Sequence, residues 1–160
     1  MSPSACPLSE AVRAAACEML NGLVAFAIAL HAAAYKAHHN VAGPMFGPLH
    51  DGTFKATYER VDGFRDALAE RVKKLGGMAI DTLEEVAAIS TMTPFPTDLT
   101  DGIALCRELA DRTDAFNALV YEAAARAEAA RLVADVSMLG KLAEDVEDVA
   151  WRLRKHTVTT

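Results

Sequence analysis

The sequence is short of several features that would quickly narrow its chemistry. Aromatic residues make up only 6% of it, with a single tryptophan, Trp151. β-branched runs are scarce while Ala, Leu and Glu are abundant, which argues against a sheet protein and for an all-α chain. The three cysteines, Cys6, Cys17 and Cys106, are odd in number and have no ligand-like spacing. Neither a disulfide framework nor a thiolate metal centre is expected, and the thiols read as buried, inert groups of a reducing compartment. Basic residues are scattered and the formal net charge is −6. The footprint of a phosphate-binding surface is missing, so DNA is not an expected partner. The apolar run LNGLVAFAIALHAAAY is broken by Asn21 and His31 and follows Glu10 and Glu18 rather than a basic stretch. That argues against a membrane span or a signal peptide and for a soluble, cytoplasmic chain.

What is present is helical periodicity. The 160 residues suit one domain, 1–160, large enough to bury a core without a metal or disulfide, with MSPSACP at 1–7 as a flexible tail. From Leu8 to about His39, Val12, Ala15, Met19, Leu23, Phe26 and Leu30 recur at three-to-four spacing and predict a long amphipathic helix that Gly43 and Pro44 stop. A second helix should open near His50 to Thr53 and present Tyr58, Val61, Phe64, Leu68, Val72 and Leu75, with Gly76 and Gly77 as its left-handed cap. The long connection over 78–97 carries a short helical piece around Leu83 to Ala88 before the prolines of TPFPTD. A third helix opens near Asp98 to Asp101, and a fourth carries Leu139, Leu142, Val146, Val149 and Leu153. The break between them, without Gly or Pro, falls near 130–135. Four long helices with one long crossover holding a short extra helix make a ferritin-like four-helix bundle.

The stretch YKAHHNVAGPMFGPLHDG places three of five histidines around a Gly-Pro loop. His38 near the end of one helix and His50 at the start of the next can bring two imidazoles together, as a divalent metal site requires. On the second helix, Asp62, Asp66 and Glu70 form an i, i+4 ladder on the side away from the core. Taken alone the ladder is a solvated face, with Glu70 paired to Lys74. Asp66 and Glu70 follow His50 by sixteen and twenty positions, roughly 24 and 30 Å along one helix. One chain cannot close a site from these four residues, but two chains whose second helices pack antiparallel about a two-fold axis can. Each site then takes histidines from one copy and carboxylates from the other. No glutamate has a histidine three residues later, which disfavours a di-iron site inside the bundle. His31 reads as a satisfied core or interface histidine, and His156 as part of a polar tail with no role. His39 is either an exposed helix-end cation or a further ligand.

The segments KAHHNVAGPMFGPLH, AERVKKLGG, STMTPFPTDLTDG and AWRLRKH occur in that order, and through them the chain resembles the Dps family, the DNA-binding proteins from starved cells, or miniferritins. The resemblance covers nearly the whole length. It implies a hollow dodecamer built from two-fold dimers, with Fe(II) bound at intersubunit ferroxidase sites, oxidised preferably by hydrogen peroxide and stored as ferric mineral. The family's ligands fall on His38, His50, Asp66 and Glu70, with His39, Asp51 and Asp62 as further candidates and zinc as an alternative occupant. Metal binding should weaken as pH falls through the histidine range. An acidic iron-entry pore near the last helix is implied, with Asp135, Glu144, Asp145 and Asp148 as candidates, although plain solvent-facing acids fit them equally.

Two departures from the family pattern stand out. His39 replaces a usual tryptophan, and the His50 to Asp66 spacing is one residue longer than the family's usual spacing, which in an α-helix turns His50 by about 100°. Either an irregular turn around Gly52 absorbs the extra residue through glycine's backbone freedom, or Asp51, at the usual spacing, replaces His50 as ligand; the first alternative is preferred.

Overall fold

The computed structural model describes residues 1–158. Among these residues five α-helices follow one another: α1 Glu10–Asn40, α2 Lys55–Lys74, α3 Leu83–Ile89, α4 Gly102–Ala129 and α5 Val133–Lys155, with a π-helical segment, Pro48–Phe54, leading directly into α2. Among the described residues the β-type pairing is a single isolated bridge, Ala42 to Asp101. α1 and α2 pair antiparallel, α4 and α5 do the same, α1 also packs on α4, and the short α3 lies on α1 within the crossover. This is the expected bundle. α1 is long and apolar enough to span a bilayer, but over half of its most apolar window is buried in the protein, so its Leu20, Val24, Ala27 and Leu30 are core residues. Val12 and Ala15, expected on the same stripe, lie half-buried and exposed near the helix start.

The helix ends follow local chemistry. Ser9, Thr82 and Asp101 accept hydrogen bonds from the first turns of α1, α3 and α4, and Thr82 with Glu85 completes a capping box. At the end of α2, Gly76 has φ +87° and Gly77 N–H donates to Val72 O at 3.0 Å, the expected left-handed cap. Between α4 and α5 the same geometry is made by Arg131 at φ 58°, with Leu132 N–H donating to Ala127 O at 2.9 Å. A non-glycine in that role explains why the break carried no punctuation in the sequence.

In residues 1–7, expected as a flexible tail, Ser2 N–H donates to Gly76 O at 2.8 Å and Ser4 Oγ to Lys74 O at 2.7 Å, so the segment lies over the end of α2. Several expectations need correction. Cys17 and Cys106 are buried, and burial pushes the Cys106 thiol up to about 12, but Cys6 is only half-buried. Asp135 is neither a solvent-facing acid nor a free pore residue. It is fully buried and takes two hydrogen bonds from Arg71, Nε at 3.1 Å and a terminal nitrogen at 2.6 Å, joining α5 to α2. The other pore candidates are also paired: Lys141 lies 3.5 Å from Glu144 and 2.8 Å from Asp145, while Arg60 reaches Asp145 and Asp148 and Arg152 joins Asp148 at 2.9 Å.

His31 is half-buried on the outer seam of α1 and α2, 6.0 Å from the Tyr35 ring and 5.8 Å from Tyr58. Desolvation pushes it below the ordinary imidazole range, with Asp62 opposing. The folded chain thus favours the neutral ring. This contribution to stability is complete above the unfolded value of about 6.5 and is lost as pH falls through the folded value. In His31→Leu, the urea midpoint should fall less than in the parent protein on acidification from about pH 7 to pH 5. For the buried pair, Arg71→Met alone should cost about 3–5 kcal/mol in denaturant unfolding because it strands the Asp135 carboxylate, and Arg71→Met with Asp135→Leu should recover most of that loss.

Candidate metal site

The two histidines of the loop do meet. His38, on the last turns of α1 and nearly buried, stacks on His50 of the π-segment with ring centroids 3.8 Å apart. His38 Nδ1 lies 2.9 Å from the His50 carbonyl oxygen. A carbonyl can only accept, so Nδ1 carries the proton and the Nε2 lone pair of His38 is left for another partner. His50 Nδ1 lies 2.9 Å from Asp51 Oδ1, and a carboxylate imposes the same choice. Both rings are therefore held as Nε2 donors, each braced through its other nitrogen in the manner of metal-bound histidines.

The extra residue between His50 and Asp66 is absorbed by the π-helix. Its hydrogen bonds span five residues rather than four, so it takes in one more residue without breaking the axis. Gly52 lies inside it but is not one of the positive-φ glycines, so the expectation that glycine's unusual backbone angles do the work is corrected. The signal lay in Leu49 and Phe54, five positions apart and both completely buried. In a plain α-helix those two side chains would point about 140° apart.

Around the pair is a ring of aromatic groups. Tyr58 lies 5.4 Å from His38, Tyr35 lies 5.1 Å from Tyr58 and 4.5 Å from His39, and Phe46 lies 4.9 Å from His50. Tyr35, Met45, Phe46 and His39 are exposed. His156, read from sequence as having no role, stands 2.9 Å from Thr53 Oγ1 and ties the end of α5 to the π-segment. That contact spans 103 positions, and no local pattern announces it.

The carboxylates lie elsewhere on the chain. Asp66 and Glu70 are exposed on α2, Asp62 is bridged to Arg65 at 3.0 Å, and Glu70 is held by Lys74 at 2.6 Å. The Lys74 hydrogen bond and charge hold the Glu70 carboxyl below its ordinary range. Within one copy, no three His, Cys, Asp or Glu groups among the described residues form a metal-sized cluster. The structure brings together His38, His50 and Asp51, with His39 beside them, and leaves Asp62, Asp66 and Glu70 apart.

Comparison with known proteins gives this arrangement a context. A family profile described as a ferritin-like domain matches residues 17–160. A DNA protection during starvation protein of Brevibacillus brevis is 33% identical over 60% of this chain and 74% of its own length. One of the same description from Agrobacterium fabrum is 35% identical over 51% of this chain; the chain spans 49% of that relative's length. Among solved structures, DpsC from Streptomyces coelicolor superposes with a TM-score of 0.94 at 25% identity, covering 99% of this chain and 92% of that one. By this domain match over most of its length, and by a fold and relatives that agree with it, the chain belongs to the Dps family of ferritin-like proteins.

Proposed function

We propose that this protein is a ferroxidase and iron store, binding Fe(II) at sites shared between two copies and holding the ferric product inside a hollow homo-oligomer, a dodecamer, in the cytoplasm. The observation that carries this reading is the pair of stacked imidazoles, both fixed as Nε2 donors by a carbonyl and a carboxylate. Such a pair supplies half of a divalent site, and Asp66 and Glu70 of a second copy would supply the hard oxygen donors that favour Fe(III) over Fe(II). The exposed Tyr35, Met45 and Phe46 beside the histidines support a second copy as the neighbour, because apolar surface grouped at a site marks an interaction face. In this reading Asp51 orients His50, and His39 and Asp62 stay outside the ligand set.

Iron is the substrate. Each peroxide takes one electron from each of two Fe(II) ions and two protons, leaving two Fe(III) and two waters, so no hydroxyl radical is released. The histidines and carboxylates bind the ion, and Lys74 must leave Glu70 before that oxygen can ligate. Zinc fits the same imidazole and carboxylate donors and would compete. Binding to DNA lies outside the proposal, since the basic residues are scattered and the formal net charge is −6.

Anaerobic Fe(II) titration followed by peroxide tests the reading, with iron oxidation no faster than in buffer as the result that sinks it. His38→Ala and Asp66→Asn should each abolish fast oxidation. When the two variants are unfolded and reassembled together, about a quarter of sites should return, because half the dimers are mixed and each regains one complete site. A site built within one chain gives no such recovery. Lys74→Met should tighten Fe(II) binding by about two- to five-fold, the worth of an exposed ion pair.

A further inference from the structure

Leu49 immediately precedes His50 and is completely buried, although its neighbours Pro48 and Asp51 are exposed. The space that holds it exists because α4 begins with a glycine. A Cβ at Gly102 would lie 2.4 Å from Leu49 Cδ1 and 3.5 Å from Val41 Cγ2. Gly102 is not a positive-φ glycine, so conformational freedom does not explain it; close approach does. The same corner is fixed from other sides. Ala42 N–H donates to Thr100 O at 2.9 Å, which ties the start of α4 to the end of α1, and the Asp101 carboxylate caps α4 by accepting from Ala104 N–H at 2.8 Å.

One peptide beyond Leu49, the His50 carbonyl receives the Nδ1 proton of His38 at 2.9 Å. The position of Leu49 therefore reaches both rings: His50 directly, through the backbone, and His38 through the carbonyl that sets its tautomer. We infer that Gly102 and Leu49 are positioning residues for the His38–His50 pair, the bare first residue of α4 serving as a socket for the side chain that sets the register of the π-segment. This rests on the reading of that pair as metal donors. It assigns a role at the site to α4, a helix that contributes no ligand.

A methyl group at Gly102 must move Leu49 Cδ1, because 2.4 Å is well inside any real carbon contact, whereas Leu49 Cγ at 3.9 Å is in ordinary contact. Leu49 is completely buried and its Cδ1 has no open space to rotate into, and the backbone is braced on the α1 side by Ala42 N–H to Thr100 O, so the strain is passed to the π-segment that carries Leu49. A shift near 1 Å there takes the His50 carbonyl out of good hydrogen-bond reach of His38. The effect on metal binding is then of the size seen when a ligand's orienting partner is lost, about tenfold or more.

The test uses the full-length assembled protein and Co(II), whose visible absorption reports nitrogen ligation. Gly102→Ala should bind Co(II) about tenfold or more weakly, with an altered band shape, while assembly and helix content stay as in the parent. Adding Leu49→Val to Gly102→Ala removes the clashing Cδ atoms and should restore both affinity and spectrum. Leu49→Val alone, which loosens the socket without overfilling it, should weaken binding as well and serves if Gly102→Ala does not fold. A folded Gly102→Ala or Leu49→Val protein that binds Co(II) like the parent overturns the inference. Crystal structures separate it from the functional reading. If the parent binds no Co(II), that reading fails, whereas an unchanged His38 Nδ1 to His50 O distance in Gly102→Ala overturns the positioning role by itself.

Discussion

The site depends on one packing constraint: Leu49 and Phe54 must both be buried although five residues separate them. An α-helix sends one of the two into solvent, and losing a Leu or Phe from the core costs about 2–3 kcal/mol of apolar burial. A π-helix brings both back to one side and widens the turn by one residue. The burial of two large side chains offsets the poorer geometry of that turn. Downstream, Val61, Phe64, Leu68 and Val72 keep their core register, and upstream His50 stays against His38. The insertion changes how the helix begins without moving what either end holds.

Much of the fold was legible because its signals are local. The apolar stripes of α1, α2 and α5 have helical period, Gly76 and Gly77 announced the end of α2, and the segment Asp98 to Asp101 announced α4. What escaped was held by contacts distant in sequence or by residues in unusual roles. Arg131 takes the left-handed position that glycine usually fills, so the α4–α5 turn looked featureless. Ser2 and Ser4 are ordinary tail residues until the end of α2 offers unpaired carbonyls, and His156 is an ordinary terminal histidine until Thr53 stands beside it. The π-segment was within reach, since apolar residues five apart just before a helical stripe conflict with an α-helical period.

For the site, sequence spacing carried the main conclusion: His38 and His50 come together, while Asp66 and Glu70 are too far along α2 to join them. Spacing disclosed the i, i+4 pair of Glu70 with Lys74 but not the ionisation partners that are distant in sequence. Asp135 looked like a free acid and is the buried partner of Arg71, and Asp145 and Asp148 are shared by Arg60, Lys141 and Arg152. A formal charge of −6 thus conceals local neutrality along the α2–α5 face. Asp51, the alternative ligand by spacing, lies 2.9 Å from His50 Nδ1, and in the proposed reading it orients that ring.

Stability and site formation therefore have different requirements in this chain. The bundle is closed by one copy: its apolar stripes are buried, its helix ends are capped, and the Arg71–Asp135 pair is satisfied within it. The histidine corner is also organised within one copy, since the His50 carbonyl, Asp51 and the Leu49 socket all act without a neighbour. Its outward side, by contrast, carries exposed Tyr35, Met45 and Phe46 next to two imidazoles that, among the described residues, have no cluster of three metal-binding groups around them. In the proposed reading the rings are oriented by groups of their own chain, and a second copy would bring the carboxylates and cover the apolar surface. Donors fixed in advance lose little freedom on binding, and a half-site of that kind can be strong once completed yet inactive in the isolated chain.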